Sequence, residues 1–104
     1  MTLSYEQRRP WTVPETLAEL TGPTHGTVHL PKHLNWSDPG VYDLDNPKQL
    51  GVMYETVIRE SMTTDDLDRY LDAATLVRIW RRMWLPRTVR ALWEARFPDL
   101  RQAA

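Results

Sequence analysis

What the sequence lacks excludes several kinds of chemistry. The 104 residues include no cysteine, so disulfides, thiolate metal sites and cysteine nucleophiles are impossible. No apolar run approaches the roughly 20 residues that a membrane-spanning helix needs, and residues 1–9 lack the apolar core of a signal peptide. The sequence therefore predicts a soluble, cytoplasmic chain whose length suits one domain.

Motifs of the common enzyme classes are absent as well. There is no Ser-His-Asp pattern, zincin motif or phosphate-cradling glycine loop. Asp38, Asp43 and Asp45 form an acidic cluster, which is more typical of turns and helix caps than of acid–base catalysis. We predict a non-catalytic protein without a cofactor; the remaining alternative is an enzyme with its site around His25, His29 and Asp43.

Three histidines have a spacing that could bind zinc on a helix. His25, His29 and His33 stand at i, i+4 and i+8, but Gly26 and Pro31 prevent one regular helix across them. In an extended chain, neighbouring histidines would lie roughly 13 Å apart, whereas zinc–nitrogen bonds are about 2 Å long. We therefore predict no metal site, because only a sharp fold-back would bring these side chains together.

The net charge of −1 conceals a strong asymmetry along the chain. Residues 1–72 contain 12 acidic and 6 basic residues, a net charge of −6, whereas residues 73–104 contain 7 arginines and 2 acidic residues, a net charge of +5. Either the basic third packs beside the acidic remainder and neutralises it, or it presents a basic face to an acidic partner.

Helical periodicity dominates the chain from Asn46 onward. Asn46 is placed to cap a helix, with Gln49 completing a capping box. Further helices are predicted to begin near Thr63 and after Asp72, and Pro86 can open the last one. The apolar positions that recur with helical spacing should form the core: Leu50, Met53, Val57, Leu71, Leu76, Trp80, Leu92 and Trp93.

The chain before Asn46 is less regular. Thr12 and Pro14 favour a short helix that Gly22 would end, and residues 26–30 and 41–44 are candidates for short strands. We predict a mainly α fold, a small bundle of four or five helices with an irregular or short β-hairpin segment near residues 23–45. The predicted parts of the chain are a flexible arm (1–10), a single helical domain (11–98) and a C-terminal tail (99–104).

Five tryptophans are many for a chain of this length. Trp80, Trp84 and Trp93 fall on predicted core faces of helices, so packing is their expected role. Trp11 and Trp36 lie in irregular segments, where each is either pinned to the core or an anchor for a partner, since tryptophan is enriched among interface hot spots.

Arginines are concentrated opposite the last apolar stripes. Arg78, Arg81 and Arg82 lie opposite the stripe that contains Trp80, and Arg87 and Arg90 are predicted on the outer face of the next helix. These side chains form either a solvated face or a surface for phosphate or carboxylate, which the planar guanidinium suits. A helix-turn-helix outline is present, but the second helix lacks the Asn, Gln and Ser side chains that commonly read bases.

Several runs of sequence resemble a group of short actinobacterial proteins. The resemblance extends over roughly residues 11–98, and the runs that carry it are Pro14-Glu-Thr-Leu-Ala-Glu-Leu-Thr-Gly-Pro23, Gly26-Thr-Val-His-Leu-Pro31, Trp36, Tyr42-Asp-Leu-Asp45, Met53-Tyr-Glu-Thr-Val57, Leu85-Pro-Arg-Thr-Val-Arg90 and Trp93-Glu-Ala-Arg-Phe-Pro98. Members of this group are often encoded beside a nucleotidyltransferase-like toxin of the AbiE type. The resemblance implies an antitoxin or accessory partner, and it transfers no functional residue. Larger AbiE-type antitoxins carry a winged-helix domain, for which this chain is too short and too poor in strands.

These features together predict a protein-interaction module, and the alternative is a small nucleic-acid-binding regulator that uses the arginine face. We expect little duplex binding at physiological salt, because the acidic remainder of the chain repels a polyanion. The residues predicted to bind a partner are Trp11, Trp36, Tyr42, Arg78, Arg81, Arg82, Arg87 and Arg90.

Overall fold

Helices form most of the computed structural model, which describes residues 11–35 and 40–102. The predicted mainly helical fold with a short β-hairpin is confirmed. Within the described ranges, no helix combines the length and the apolarity needed to cross a membrane. The elements in chain order are a 3₁₀ turn (Leu17–Glu19), β1 (Thr27–His29), β2 (Val41–Asp43), α1 (Pro47–Glu60), α2 (Thr64–Tyr70), α3 (Ala73–Ile79), a second 3₁₀ turn (Trp80–Arg82), α4 (Arg87–Arg96) and α5 (Asp99–Gln102).

The two strands pair as the antiparallel hairpin that the sequence suggested. Val28 lies opposite Tyr42 in the register, and the Leu44 N–H donates to the Gly26 carbonyl just beyond the strands (2.8 Å). Gly26 has a φ of +82°, a conformation that glycine adopts without a Cβ clash. The predicted flexible arm, Trp36 and Asp38 lie outside the described residues.

Helix α1 begins as predicted but is attached to the hairpin in an unexpected way. The Asn46 side chain accepts hydrogen bonds from the N–H groups of Lys48 and Gln49, which satisfies two of the donors left free at a helix start. Gln49 does not return a bond to Asn46, so the predicted capping box is wrong. Its Oε1 instead accepts from the Asp43 N–H (2.8 Å) and fastens α1 to the end of β2.

The predicted N-terminal helix after Thr12 does not form. Thr12 donates its hydroxyl hydrogen to the Ser61 carbonyl (3.0 Å) and therefore joins this segment to the end of α1 rather than capping a helix. Only the 3₁₀ turn Leu17–Glu19 is helical here. Too few apolar positions recur in this short segment to stabilise a longer helix by packing.

Gly22 has a different role from the helix ending that the sequence suggested. Its N–H donates to the Leu71 carbonyl (2.8 Å), and a Cβ built on it would lie 2.5 Å from the Tyr70 carbonyl carbon. The chain near Gly22 therefore crosses the connection between α2 and α3 at a distance that only glycine permits.

Helix α3 ends earlier than its apolar stripe predicted. Asp72 caps it by accepting from the Thr75 N–H (3.0 Å), but α3 ends at Ile79 and the chain continues as the 3₁₀ turn through Arg82. The i, i+4 neighbour of Trp80 on an α-helix would be Trp84. Because the helix has already ended, Trp84 is 69% exposed, and its predicted place in the core is wrong.

The remaining core predictions hold with one further exception. Leu92 on α4 is 42% exposed, while the other seven predicted core residues are buried in one continuous cluster. The chain also stays folded past Pro98, where the sequence suggested a tail. Leu100 in α5 is fully buried in the same cluster, so the packed part of the chain extends into α5.

Candidate functional site

A groove of about 450 Å³ separates the N-terminal half of α1 from the end of α3 and the 3₁₀ turn after it. We call it the α1–α3 groove. Buried apolar side chains form its floor, among them Leu44, Leu50, Ile79 and Met83. The groove thus combines an apolar floor with the charged side chains that also line it: Asp45, Lys48, Glu55, Arg78 and Arg82.

The two arginines of the groove are exposed. Among the described residues, neither Arg78 nor Arg82 takes part in a hydrogen bond or ion pair through its guanidinium group. Glu55, by contrast, accepts a hydrogen bond from the Trp84 N–H through Oε2 (2.9 Å). The groove lining holds three cations and two carboxylates, so its formal charge is +1 in a chain whose net charge is −1.

A second, shallower depression of about 260 Å³ continues the groove toward the hairpin. It shares Lys48 and Val52 with the groove and adds Val41, Tyr42 and Gln49. Val52 is 48% exposed and Val41 is 41% exposed. Solvent-accessible apolar surface therefore continues from β2 across α1 to the arginines.

Trp84 is the largest exposed apolar side chain among the described residues. It directly follows Met83, which lines the groove, and its backbone bond to Glu55 fixes its position at that end of the groove. Sequence reasoning missed Trp84 as a surface residue because its spacing from Trp80 matched an α-helix. Pro86 predicts only that the helix ends near Trp84, whereas the structure ends it at Ile79.

Arg90 was predicted on the outer face of its helix, and this placement is wrong. Its guanidinium donates to the carbonyls of Trp80 (3.2 Å) and Met83 and stacks 5.0 Å above the Trp80 ring. Glu94 lies 3.9 Å from the same guanidinium and accepts from the Trp80 indole N–H (2.9 Å). Arg90 therefore binds the free carbonyls at the end of the 3₁₀ turn. We call the group formed by Trp80, Met83, Arg90 and Glu94 the Trp80–Arg90 cluster.

The other predicted partner residues do not meet at one place. Arg81 and Arg87 are exposed, but neither lines the groove. Trp11 is half-buried against the core, which favours the pinned role over the anchor role. Arg78 and Arg82 line the groove, whereas Tyr42 lines the adjoining depression, which shares Lys48 and Val52 with the groove.

The Tyr42 hydroxyl accepts a hydrogen bond from the Asn35 side-chain amide.

The histidines are distributed over separate contacts. His33 Nε2 lies 3.0 Å from an Asp66 carboxylate oxygen, His25 bonds with the Thr24 hydroxyl (3.2 Å), and His29 is exposed on β1. In the part of the chain that the structure describes, no three His, Cys, Asp or Glu side chains are grouped so that they could hold a metal ion.

Two groups outside the groove have shifted pKa values. Burial raises the pKa of Tyr54, and the hydrogen bond that its oxygen accepts from the Asp72 N–H partly opposes this rise. Burial also raises the pKa of Asp68, with a smaller contribution from the nearby negative charge of Asp65. Neither Tyr54 nor Asp68 lines the groove, so these shifts reflect packing of the fold.

Comparison with models of known protein families, with curated proteins and with solved structures finds no match to this chain.

Proposed function

We propose that this chain is a non-catalytic protein-interaction module that docks a partner on the α1–α3 groove and on Trp84. The observation that carries the proposal is the exposed Trp84 beside a groove lined by two exposed arginines that make no ion pair among the described residues. Tryptophan and arginine are enriched among the residues that dominate binding energy, because each combines a large contact area with a directional polar group. The exposed Trp84 side chain leaves apolar surface in water beside the recess without adding to the core.

The resemblance to proteins encoded beside AbiE-type nucleotidyltransferases indicates which partner to test first. On that ground alone we propose an antitoxin or accessory role, in which docking of this chain masks a nucleotidyltransferase-like toxin. The proposal needs no catalytic residue in this chain and assigns none.

The test is co-expression with the protein encoded by the neighbouring gene, followed by co-purification. Trp84→Ala and Val52→Glu should each reduce the recovered complex by about tenfold or more, which corresponds to about 1.4 kcal/mol. Leu92→Ala is the matched control, because Leu92 is a partly exposed apolar residue that does not line the groove. Recovery that is equal for all three variants would contradict docking on this surface.

The nucleic-acid-binding alternative retains one observation in its favour. Arg78, Arg81, Arg82 and Arg87 are all exposed, and none forms a hydrogen bond or ion pair among the described residues. Phosphate contacts release counterions, so duplex affinity would fall with salt by a log–log slope near −0.9 for each phosphate contacted. A salt-sensitive, submicromolar gel shift that disappears in the Arg78→Glu, Arg82→Glu double variant would favour this alternative.

A further inference from the structure

The proposed docking role leaves the chemistry of the docked segment open. Building on that role, we propose that the α1–α3 groove takes an extended acidic segment of the partner in which carboxylates alternate with apolar side chains. The carboxylates would pair with Arg78 and Arg82, and the apolar side chains would contact Val52 and the groove floor.

The charges of the groove lining favour an acidic partner segment. Of its two carboxylates, Glu55 already accepts the Trp84 N–H, whereas Lys48, Arg78 and Arg82 make no ion pair among the described residues. The lining therefore presents more cations than carboxylates to an incoming chain. An acidic segment would neutralise Arg78 and Arg82 without displacing an ion pair among the described residues.

The start of α1 argues for carboxylate rather than phosphate as the anion. Free N–H groups at a helix start commonly bind phosphate, but here the Asn46 side chain already occupies those of Lys48 and Gln49. The arginines must supply the hydrogen bonds, and a guanidinium can bind one carboxylate through two parallel bonds. The apolar floor beside them suits a peptide side chain and has no counterpart on a sugar–phosphate backbone.

The spacing of the two arginines favours an extended segment. Arg78 lies in the last turn of α3 and Arg82 at the end of the 3₁₀ turn, so their Cα atoms are separated along the axis by about 6–8 Å. Residues i and i+2 of an extended chain are about 6.6 Å apart and point to the same side. The residue between them points to the opposite side, which in this groove is the α1 wall at Val52.

The test uses fluorescein-labelled octapeptides and fluorescence anisotropy with the full chain. The first probe alternates glutamate with leucine, and matched probes replace every glutamate by glutamine, every glutamate by lysine, or every leucine by serine. We expect the glutamate–leucine probe to bind at least about tenfold more tightly than each matched probe. Equal affinity of the glutamate and glutamine probes would overturn the proposal.

Two double variants with the same change in net charge separate a specific site from general attraction. Arg78→Glu with Arg82→Glu changes the lining from +1 to −3 and should reverse the preference toward the lysine probe. Arg81→Glu with Arg87→Glu changes two exposed arginines outside the groove and should alter affinity by no more than about twofold, the effect of screened distant charges. Equal losses in both double variants would overturn the proposal.

A milder pair of substitutions provides a second test if the double glutamate variant does not fold. If circular dichroism shows that the double glutamate variant is unfolded, Arg78→Gln with Arg82→Gln should still abolish the preference for the glutamate probe. A 20-base-pair duplex that competes with the glutamate–leucine probe at lower concentration than unlabelled probe would assign the groove to nucleic acid instead.

The outcomes distinguish this inference from the docking role on which it rests. If Trp84→Ala disrupts the natural complex while the double glutamate variant does not, the proposed docking role is supported and the proposal of an acidic segment in the groove is wrong. If the preference for the glutamate–leucine probe is found but no complex depends on Trp84, binding of an acidic segment in the groove is supported and the proposed function is wrong.

Discussion

Two adjacent regions at the end of α3 contain the same residue types in opposite environments. In the Trp80–Arg90 cluster, the tryptophan is fully buried and its indole N–H and the guanidinium both have partners within the fold. Beside the groove, Trp84 is mostly exposed, and the Arg82 guanidinium, which lines the groove, forms no hydrogen bond or ion pair among the described residues. Residue type therefore does not distinguish a stabilising contact from an exposed surface; the completeness of the local contacts does.

The backbone between these regions explains the difference. The 3₁₀ turn has about three residues per turn rather than 3.6, and Met83 then adopts an extended conformation, with a φ of −72° and a ψ of 144°. Trp80 consequently faces inward, and Trp84, four residues later, faces outward. Arg90 stabilises this arrangement from α4, because it binds carbonyls at the end of the turn.

The largest effect on stability should come from replacing Trp80 with alanine, and the same replacement at Trp84 provides the comparison. Trp80→Ala should lower the free energy of unfolding by about 3–5 kcal/mol, because it leaves a cavity in the core. Trp84→Ala should lower it by less than about 0.5 kcal/mol, as for most exposed substitutions. Urea unfolding monitored by circular dichroism measures both. Similar losses in the two variants would remove the distinction between the buried and the exposed region.

The second effect concerns the arginines of α4. Arg90→Ala should cost about 2–3 kcal/mol, because it removes charge-assisted hydrogen bonds and the stacking on Trp80. Arg87→Ala is the control and should cost less than about 0.5 kcal/mol, since that side chain is exposed. If Arg90→Ala is as mild as the control, the turn is held by packing alone.

Alkaline pH provides a third comparison, because Tyr54 is a buried residue of α1 that does not line the groove. Its pKa is raised above the usual value of 10.0 by burial, so above that pH the unfolded chain releases the phenol proton while the folded chain retains it. The free energy of unfolding should therefore fall as the pH rises beyond about 10. Tyr54→Phe should reduce this slope in urea unfolding measured from pH 8 to 11; an unchanged slope would show that other groups cause the loss.

The smallest effect on stability should come from replacing the two arginines that line the groove. Arg78→Gln with Arg82→Gln should change the free energy of unfolding by no more than about 1 kcal/mol, the most that Arg78 contributes at the end of α3 through the helix dipole. The measurement is the urea midpoint at two salt concentrations. A larger loss would mean that these arginines stabilise the fold, and it would weaken their assignment to a partner.

The candidate site was only partly predictable from the sequence. Tyr42, Arg78 and Arg82 were predicted to bind a partner, and the structure places the two arginines in the groove and Tyr42 in the adjoining depression. Lys48 and Val52 were not identified, because nothing in the order of residues indicates that the start of α1 lies across from the end of α3. Arg90 was assigned to the wrong environment because a helical period gives the direction of a side chain but not the neighbour that covers it.

The sequence by itself determined the helical class, the start of α1 at Asn46, the cap at Asp72 and most of the core. These features depend on hydrogen bonds and periodicities within a few residues, so local order is sufficient. Tertiary structure decided the early end of α3, the exposure of Trp84, the close crossing at Gly22 and the groove. Each of these depends on a contact between residues distant in sequence, such as the Trp84 N–H with Glu55 or Gly22 with Leu71, and the energy of such a contact exists only once the chain has folded.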